Sequence, residues 1–205
     1  MSSNNTLPGA GPGAGSDLAA RRGYHHGNLK ESLLEAARRL VAERGPNGFT
    51  LAEAARLAGV SPSAPYRHFK DKEALLSELA QRGYAEFGAR MREAGQQGGL
   101  AAMGPTYLRF AREEPGYYSA MFAWRLPKEG EMDTNNSFTA LVSAIARAVP
   151  EGAGRDHSRL LGLQVWAMSH GVAGLERAGW PPPASGVPTP EKVLGMAVEA
   201  LIRPR

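Results

Sequence analysis

At 205 residues, with 42% apolar and 21% charged side chains, the chain is long enough for one ordinary core or for a small domain joined to a larger one. It contains no cysteine, which excludes disulfides, cysteine nucleophiles and thiolate metal sites. It also lacks an apolar run of about 18 residues and a charged-then-apolar leader, so a cytoplasmic protein with no membrane partner is expected. The net charge of +4 is local: residues 21–82 hold eleven Lys and Arg against seven Asp and Glu, whereas 83–205 hold thirteen against twelve. Such a basic third is either the footprint of a polyanion-binding module or a solvated face.

Residues 1–20 are Gly, Ala, Ser, Asn and Pro with little to bury, and a disordered tail is expected there. From Asn28, an N-cap candidate with Glu31 three residues on, Leu29, Leu33, Ala36, Ala37, Leu40 and Val41 recur at helical spacing until Gly45 and Pro46. Thr50 and Glu53 form a second capping box before a very short helix that Gly59 stops. Ser61 then reads as the cap of a third short helix with Pro62 at its first position. Asp71 caps a fourth, carrying Leu75, Leu76, Leu79 and Phe87 to about Arg92, before Gly95 and the 96–99 stretch interrupt it. Further helices are predicted over 100–113, 116–124, 135–148, 156–178 and 190–202, and no strand pattern competes, so the fold class is all-α. Phe69, Leu57 and Leu33 are assigned to the core by their apolar character and spacing.

Two short helices joined by a Gly-containing turn, the second polar and basic, have the geometry that lets one helix enter the major groove of DNA. Ala55 permits close helix approach and Gly59 supplies the positive φ of the turn. The run from Thr50 to Ser61 (TLAEAARLAGVS) and the run from Tyr66 to Leu76 (YRHFKDKEALL) resemble the TetR (tetracycline repressor-like) family, and the resemblance covers residues 24–87. Trp166 to Gly171 (WAMSHG) is similar to the Trp-x-x-x-His-Gly signature of one C-terminal subclass. The resemblance implies an all-helical homodimer. Its N-terminal helix-turn-helix domain, 21–72, would bind a double-stranded DNA operator. Its bundle, 73–205, would bind a small-molecule effector and the partner subunit.

By the same resemblance, phosphate contacts fall to Thr50, Tyr66, His68 and Lys72. Their chemistry agrees: helix N-terminal N–H groups, phenol and imidazole donors and an ammonium all suit phosphate oxygens. Base reading would fall to Ser61, Ser63, Ala64 and Arg67, with Arg67 able to fork onto a guanine edge and Ala64 to meet a thymine methyl. Pro65 departs from the commonest family pattern, which has an aliphatic residue there, and removes the hydrogen bond to the Ser61 carbonyl. Arg21, Arg22, His25 and His26 are either a basic arm that follows the backbone or enters the minor groove, or a solvated lead-in.

Residues 100–140 are rich in large apolar groups, among them Met103, Tyr107, Phe110, Tyr118, Phe122, Trp124, Met132 and Phe138. They are either packing or the wall of a pocket for an apolar or aromatic effector, with Tyr107, Phe110, Tyr118, Phe122, Trp166 and His170 as candidate contacts. His170 also reads as a structural histidine. The segment 156–178 is apolar on more than one face, with Gly162, Gly171 and Gly174 allowing close approach, and with 190–202 it suits a two-fold four-helix interface.

An enzyme is not expected. Asp156, His157 and Ser158 diverge around a helix and cannot form a nucleophile-base set, and no nucleophile elbow, P-loop or dinucleotide fingerprint occurs. Histidines lack metal-ligand spacing, so neither a metal nor another cofactor is expected. A ligand-independent architectural DNA binder is the remaining alternative.

Overall fold

The computed structural model describes residues 29–122, 137–149 and 154–203. The expected tail, the Asn28 cap, the Arg21 to His26 lead-in, and Trp124 and Met132 lie outside them. The described residues form eight α-helices and no strand, so the chain is all-α.

Helix α1 (Leu29–Arg44) turns Leu33, Leu34, Ala37, Leu40 and Val41 inward. It stops at Gly45, whose φ of 75° places it in the left-handed region while its N–H reaches the Val41 carbonyl at 2.9 Å. In α2 (Leu51–Leu57), Thr50 Oγ1 accepts from the Glu53 N–H at 3.2 Å, and the Thr50 N–H donates to the Glu53 carboxylate at 2.8 Å. Leu51, Ala54 and Ala55 face the core. Leu57 does not: it is 45% exposed, which corrects its assignment to the core. Leu51, Ala54 and Ala55 form a single buried stripe on this seven-residue helix, and Leu57 lies off its edge.

Gly59 makes the turn at φ 74°. The α-helix expected from Ser61 does not form. Residues 62–63 are a turn, and Ala64–Arg67 is one turn of 3-10 helix. Pro65 is the physical reason: it has no N–H to give the Ser61 carbonyl, which is taken instead by the Ala64 N–H at 3.0 Å in the tighter three-residue spacing. Buried Pro65 and Phe69 pin this turn from beneath.

Helix α3 (Lys72–Gln97) is capped by Asp71, which accepts from the Ala74 N–H at 2.8 Å. It runs past Gly95, where a stop is expected, and ends at Gly98, with Gly99 left-handed at φ 61°. A mid-helix glycine costs about 1 kcal/mol. Here Met91 and Ala94 are buried on the same helix, so tertiary packing outweighs that cost. The remaining helices are α4 (Gly99–Glu113), α5 (Pro115–Phe122), α6 (Ser137–Ala148), α7 (Arg155–Gly179) and α8 (Pro190–Ile202).

Two apolar clusters result, and α3 belongs to both. Its Leu75, Leu76 and Leu79 join α1, α2 and Phe69, while its Phe87, Met91 and Ala94 join α4 to α8. Short α5 ties the two together, packing on both α1 and α3. Ala120 lies in the first cluster and Tyr118 and Met121 in the second. At Gly116 the helix backbone meets that of Arg38 so closely that a Cβ there would overlap the Arg38 carbonyl oxygen. The Arg38 guanidinium reaches Glu114 at 3.0 Å and lies 5.6 Å from the Tyr117 ring centre.

Candidate nucleic-acid interface and effector cavity

The polar surface of the first cluster is built around the start of α2. Thr50 is exposed, and its hydroxyl both accepts from the Glu53 N–H and donates to the Glu53 carboxylate at 3.0 Å. These bonds from the Thr50 backbone and hydroxyl hold the Glu53 carboxyl below the usual range, with Arg44 adding to the effect at 3.2 Å. The Lys72 ammonium, at the first position of α3, donates to the Phe49 carbonyl at 3.1 Å and lies 5.2 Å from the Phe49 ring centre. A point charge therefore stands beside Thr50, at a corner where the N-termini of two helices meet.

The 3-10 turn supplies the rest. Tyr66, Arg67 and His68 are consecutive and exposed, Tyr66 by 62%. Ser61 and Ser63 are exposed with their hydroxyl oxygens 3.3 Å apart, and Ala64 is half-buried. Thr50 and Lys72 thus stand at one corner of the first cluster, and Tyr66, Arg67 and His68 are exposed on the 3-10 turn that precedes α3.

Between α3, α4, α5, α6, α7 and α8 lies a cavity of about 270 Å³. Of the six residues expected at an effector site, Tyr107, Phe122 and Trp166 line it. Phe110 does not; it is fully enclosed, its ring 5.1 Å from that of Phe87. Tyr118 and His170 stand behind the wall, stacked with ring centres 5.6 Å apart, and Phe122 packs edge-on to His170 at 4.9 Å. Phe138, read from the sequence as packing or pocket wall, also lines the cavity, as do Tyr84, Phe87 and Leu194, which are not among the candidate contacts. Tyr84 and Phe87 could have been found from α3 itself, since helical spacing from Leu76 and Leu79 carries the inward face on to them.

Behind the wall, the Tyr107 and Tyr118 hydroxyls lie 2.9 Å and 3.0 Å from His170 Nδ1. Burial pushes both phenols above the usual tyrosine range and pushes His170 below the usual histidine range. Arg177 donates to the Ser119 hydroxyl at 3.0 Å and lies 5.6 Å from the Tyr118 ring centre, tying α7 to α5. The described residues hold no cluster of three or more His, Asp or Glu suited to a metal ion, and none of their helices is long and apolar enough to cross a membrane.

The family pattern described as "Bacterial regulatory proteins, tetR family" matches residues 33–79, and that described as "Tetracyclin repressor-like, C-terminal domain" matches 100–201. An HTH-type transcriptional regulator of Mycobacterium tuberculosis is 30% identical over 151 residues, which are 70% of this chain and 71% of that protein. The chain belongs to the TetR family. The transcriptional repressor AcnR of Corynebacterium efficiens is 34% identical over 113 residues, 55% of each chain. The chain spans about half the length of the first curated relatives it matches. Among solved structures, a protein from Rhodococcus sp. RHA1 is 27% identical at a TM-score of 0.69, covering 88% of this chain and 96% of that one. In this TetR-family chain, the first match falls on α1, α2, the 3-10 turn and the start of α3, and the second on the helices around the cavity.

Proposed function

We propose that the protein is a homodimeric transcriptional repressor that occupies a DNA operator and leaves it when a small apolar or aromatic effector fills the cavity. The unit 21–72 is the DNA-binding head and 73–205 the effector-binding and dimerisation body, with the first turns of α3 closing the head core. The reading is carried by the corner where Lys72 meets the Phe49 carbonyl next to Thr50, together with the exposed Tyr66, Arg67 and His68. Thr50, Tyr66, His68 and Lys72 hold phosphates, while Arg67, Ser61, Ser63 and Ala64 face base edges. The repressor name of the corynebacterial relative supports repression as the output, and an operator partner calls for the cytoplasm.

The dimer is supported by apolar side chains left without cover. Leu160, Leu163 and Leu175 of α7 and Met196 of α8 are 44–62% exposed, and a Cβ at Gly171 or Gly174 would meet nothing within 4 Å. A second copy packed across α7 and α8 buries that face in a four-helix arrangement. Coupling to the operator runs through α5, which offers Phe122 to the cavity and Gly116, Tyr117 and Ala120 to the head.

Operator titrations over a range of salt test the head. The double variant Tyr66→Phe, Lys72→Ala is expected to bind more weakly, and the salt slope falls by about 0.9 for each phosphate that is no longer neutralised. Unchanged affinity and slope would refute the assignment. Light scattering tests the dimer, with Leu175→Glu expected to yield monomers. For the sensor, thermal shifts and operator release that both stay flat across a broad apolar and aromatic library would sink the effector reading.

A further inference from the structure

Two phenols share one ring nitrogen behind the cavity wall. The Tyr107 and Tyr118 hydroxyls lie 2.9 Å and 3.0 Å from His170 Nδ1 and 3.4 Å from each other. Nδ1 offers a single position, a lone pair in one tautomer and one N–H in the other. With the ring proton on Nε2, one phenol donates to Nδ1. The other is left with the 3.4 Å contact, longer than the 2.5–3.0 Å of a good O–H···O bond. With the proton on Nδ1, the ring donates to one phenol, that phenol donates across the same long contact, and the last proton has no acceptor within the cluster. The Trp166 indole beside Tyr107 is a donor only and takes neither proton. In either tautomer one hydroxyl proton is poorly placed. Only Tyr107 of the three lines the cavity.

We infer that Tyr107 is the polar anchor of this cavity and that its ligand is a neutral lipophile with one hydrogen-bond acceptor, a ketone, ester or ether oxygen on an aromatic or aliphatic body. This assignment rests on the cavity being an effector site. The ligand oxygen takes the Tyr107 proton, and Tyr118 then has His170 Nδ1 to itself, so in the bound arrangement each hydroxyl proton has an acceptor. Tyr118 lies on α5, so the group whose bonding changes belongs to the helix that also packs on the head.

Neutrality follows from the lining. Beyond tyrosine, the ionisable residues lining the cavity among the described ones are Glu191 and Glu199, and Glu191 is held by Arg112 at 2.7 Å. Burial keeps the three cluster members uncharged near neutral pH. A carboxylate ligand would be stripped of its hydration and meet no opposite charge on these walls.

Calorimetric titration of the full chain with three probes tests this. 2-Acetylnaphthalene and 2-isopropenylnaphthalene share an outline and differ by a carbonyl oxygen against a methylene; 2-naphthoate carries the anion. One net hydrogen bond makes the ketone bind about three- to tenfold tighter than the alkene, with naphthoate weaker than both. Tyr107→Phe collapses the ketone-to-alkene ratio to about one by removing the donor, while alkene affinity stays as it was, which also reports an intact cavity. Tyr118→Phe collapses the ratio too, although Tyr118 does not touch the ligand, because Tyr107 then owns the His170 nitrogen. Equal ketone and alkene affinities in the unsubstituted protein would overturn the anchor while leaving the cavity reading in place. A ratio that survives either substitution overturns it as well. If neither neutral probe binds, the cavity reading fails and takes this inference with it.

Discussion

Replacing Gly116 by alanine tests the seam on which the joining of head and body depends. A methyl at this position would overlap the Arg38 carbonyl oxygen, and it would sit 2.8 Å from Arg38 Cγ and 3.0 Å from the carbonyl carbon. An ordinary C···O contact is about 3.3–3.6 Å, so α1 and α5 must part by roughly an ångström. The nearest atom is backbone, and no rotamer change relieves it. Two effects oppose each other. Alanine is favoured by about 0.8–1 kcal/mol over glycine in a helix, whereas forcing a methyl into a filled site costs about 1–3 kcal/mol. The steric effect wins, because opening the seam also loosens Arg38 from Glu114 and Tyr117. A net destabilisation of about 1–2 kcal/mol corresponds to a melting temperature lower by roughly 2–8 °C in a chain of this size. Gly95→Ala is the matched control. It lies inside α3, and its added methyl would meet Met103 Sδ at an ordinary 3.6 Å. Only the helix preference remains there, and the melting temperature should rise by about 2–4 °C. Thermal unfolding followed by helical circular dichroism reads both variants. Opposite signs support the seam, whereas a Gly116→Ala protein as stable as the parent or its Gly95→Ala counterpart would refute it.

Arg67→Ala is expected to relax preference at one position of each half-site by about 1–3 kcal/mol. Sites selected from random DNA check this, and an unchanged consensus argues against a base-reading role. Phe110→Ala should cost about 3–5 kcal/mol in urea unfolding, because the ring is fully enclosed yet absent from the cavity wall. A variant of near-parental stability would contradict that placement. His170 is half-buried and its pKa lies below the usual 6.5, so the unfolded chain takes up its proton at higher pH than the folded one. Its contribution to stability is complete above about pH 6.5 and declines as pH falls through the folded value. The paired carboxylates Glu31, Glu35 and Glu191 shed their stabilisation in a separate window below pH 4.5. In His170→Gln, melting temperature against pH should therefore flatten just below pH 6.5 and keep its more acidic slope.

Local signals in the sequence are strongest where one residue decides the backbone. Thr50 with Glu53, and Asp71, cap their helices as their chemistry requires, and Gly45 and Gly59 turn the chain at positive φ. Elsewhere distant packing decides. Nothing within a few residues of Gly95 announces that Met103 will pack beside it, so α3 reads shorter in the sequence than it is. Leu57 is apolar but lies off the buried stripe of Leu51, Ala54 and Ala55. Pro65 is visible as a departure, yet the 3-10 turn needs one further fact, that the ring is buried beside Phe69 and cannot swing out. The cavity obeys the same rule. Spacing puts Trp166 and His170 on one face of α7, since i and i+4 share a face. Which of them reaches the cavity depends on α5, an element remote from both along the chain. Only in the fold does Phe122 pack against both of them and Tyr118 close behind, so that a helix of eight residues touches both the wall of a cavity and the first apolar cluster.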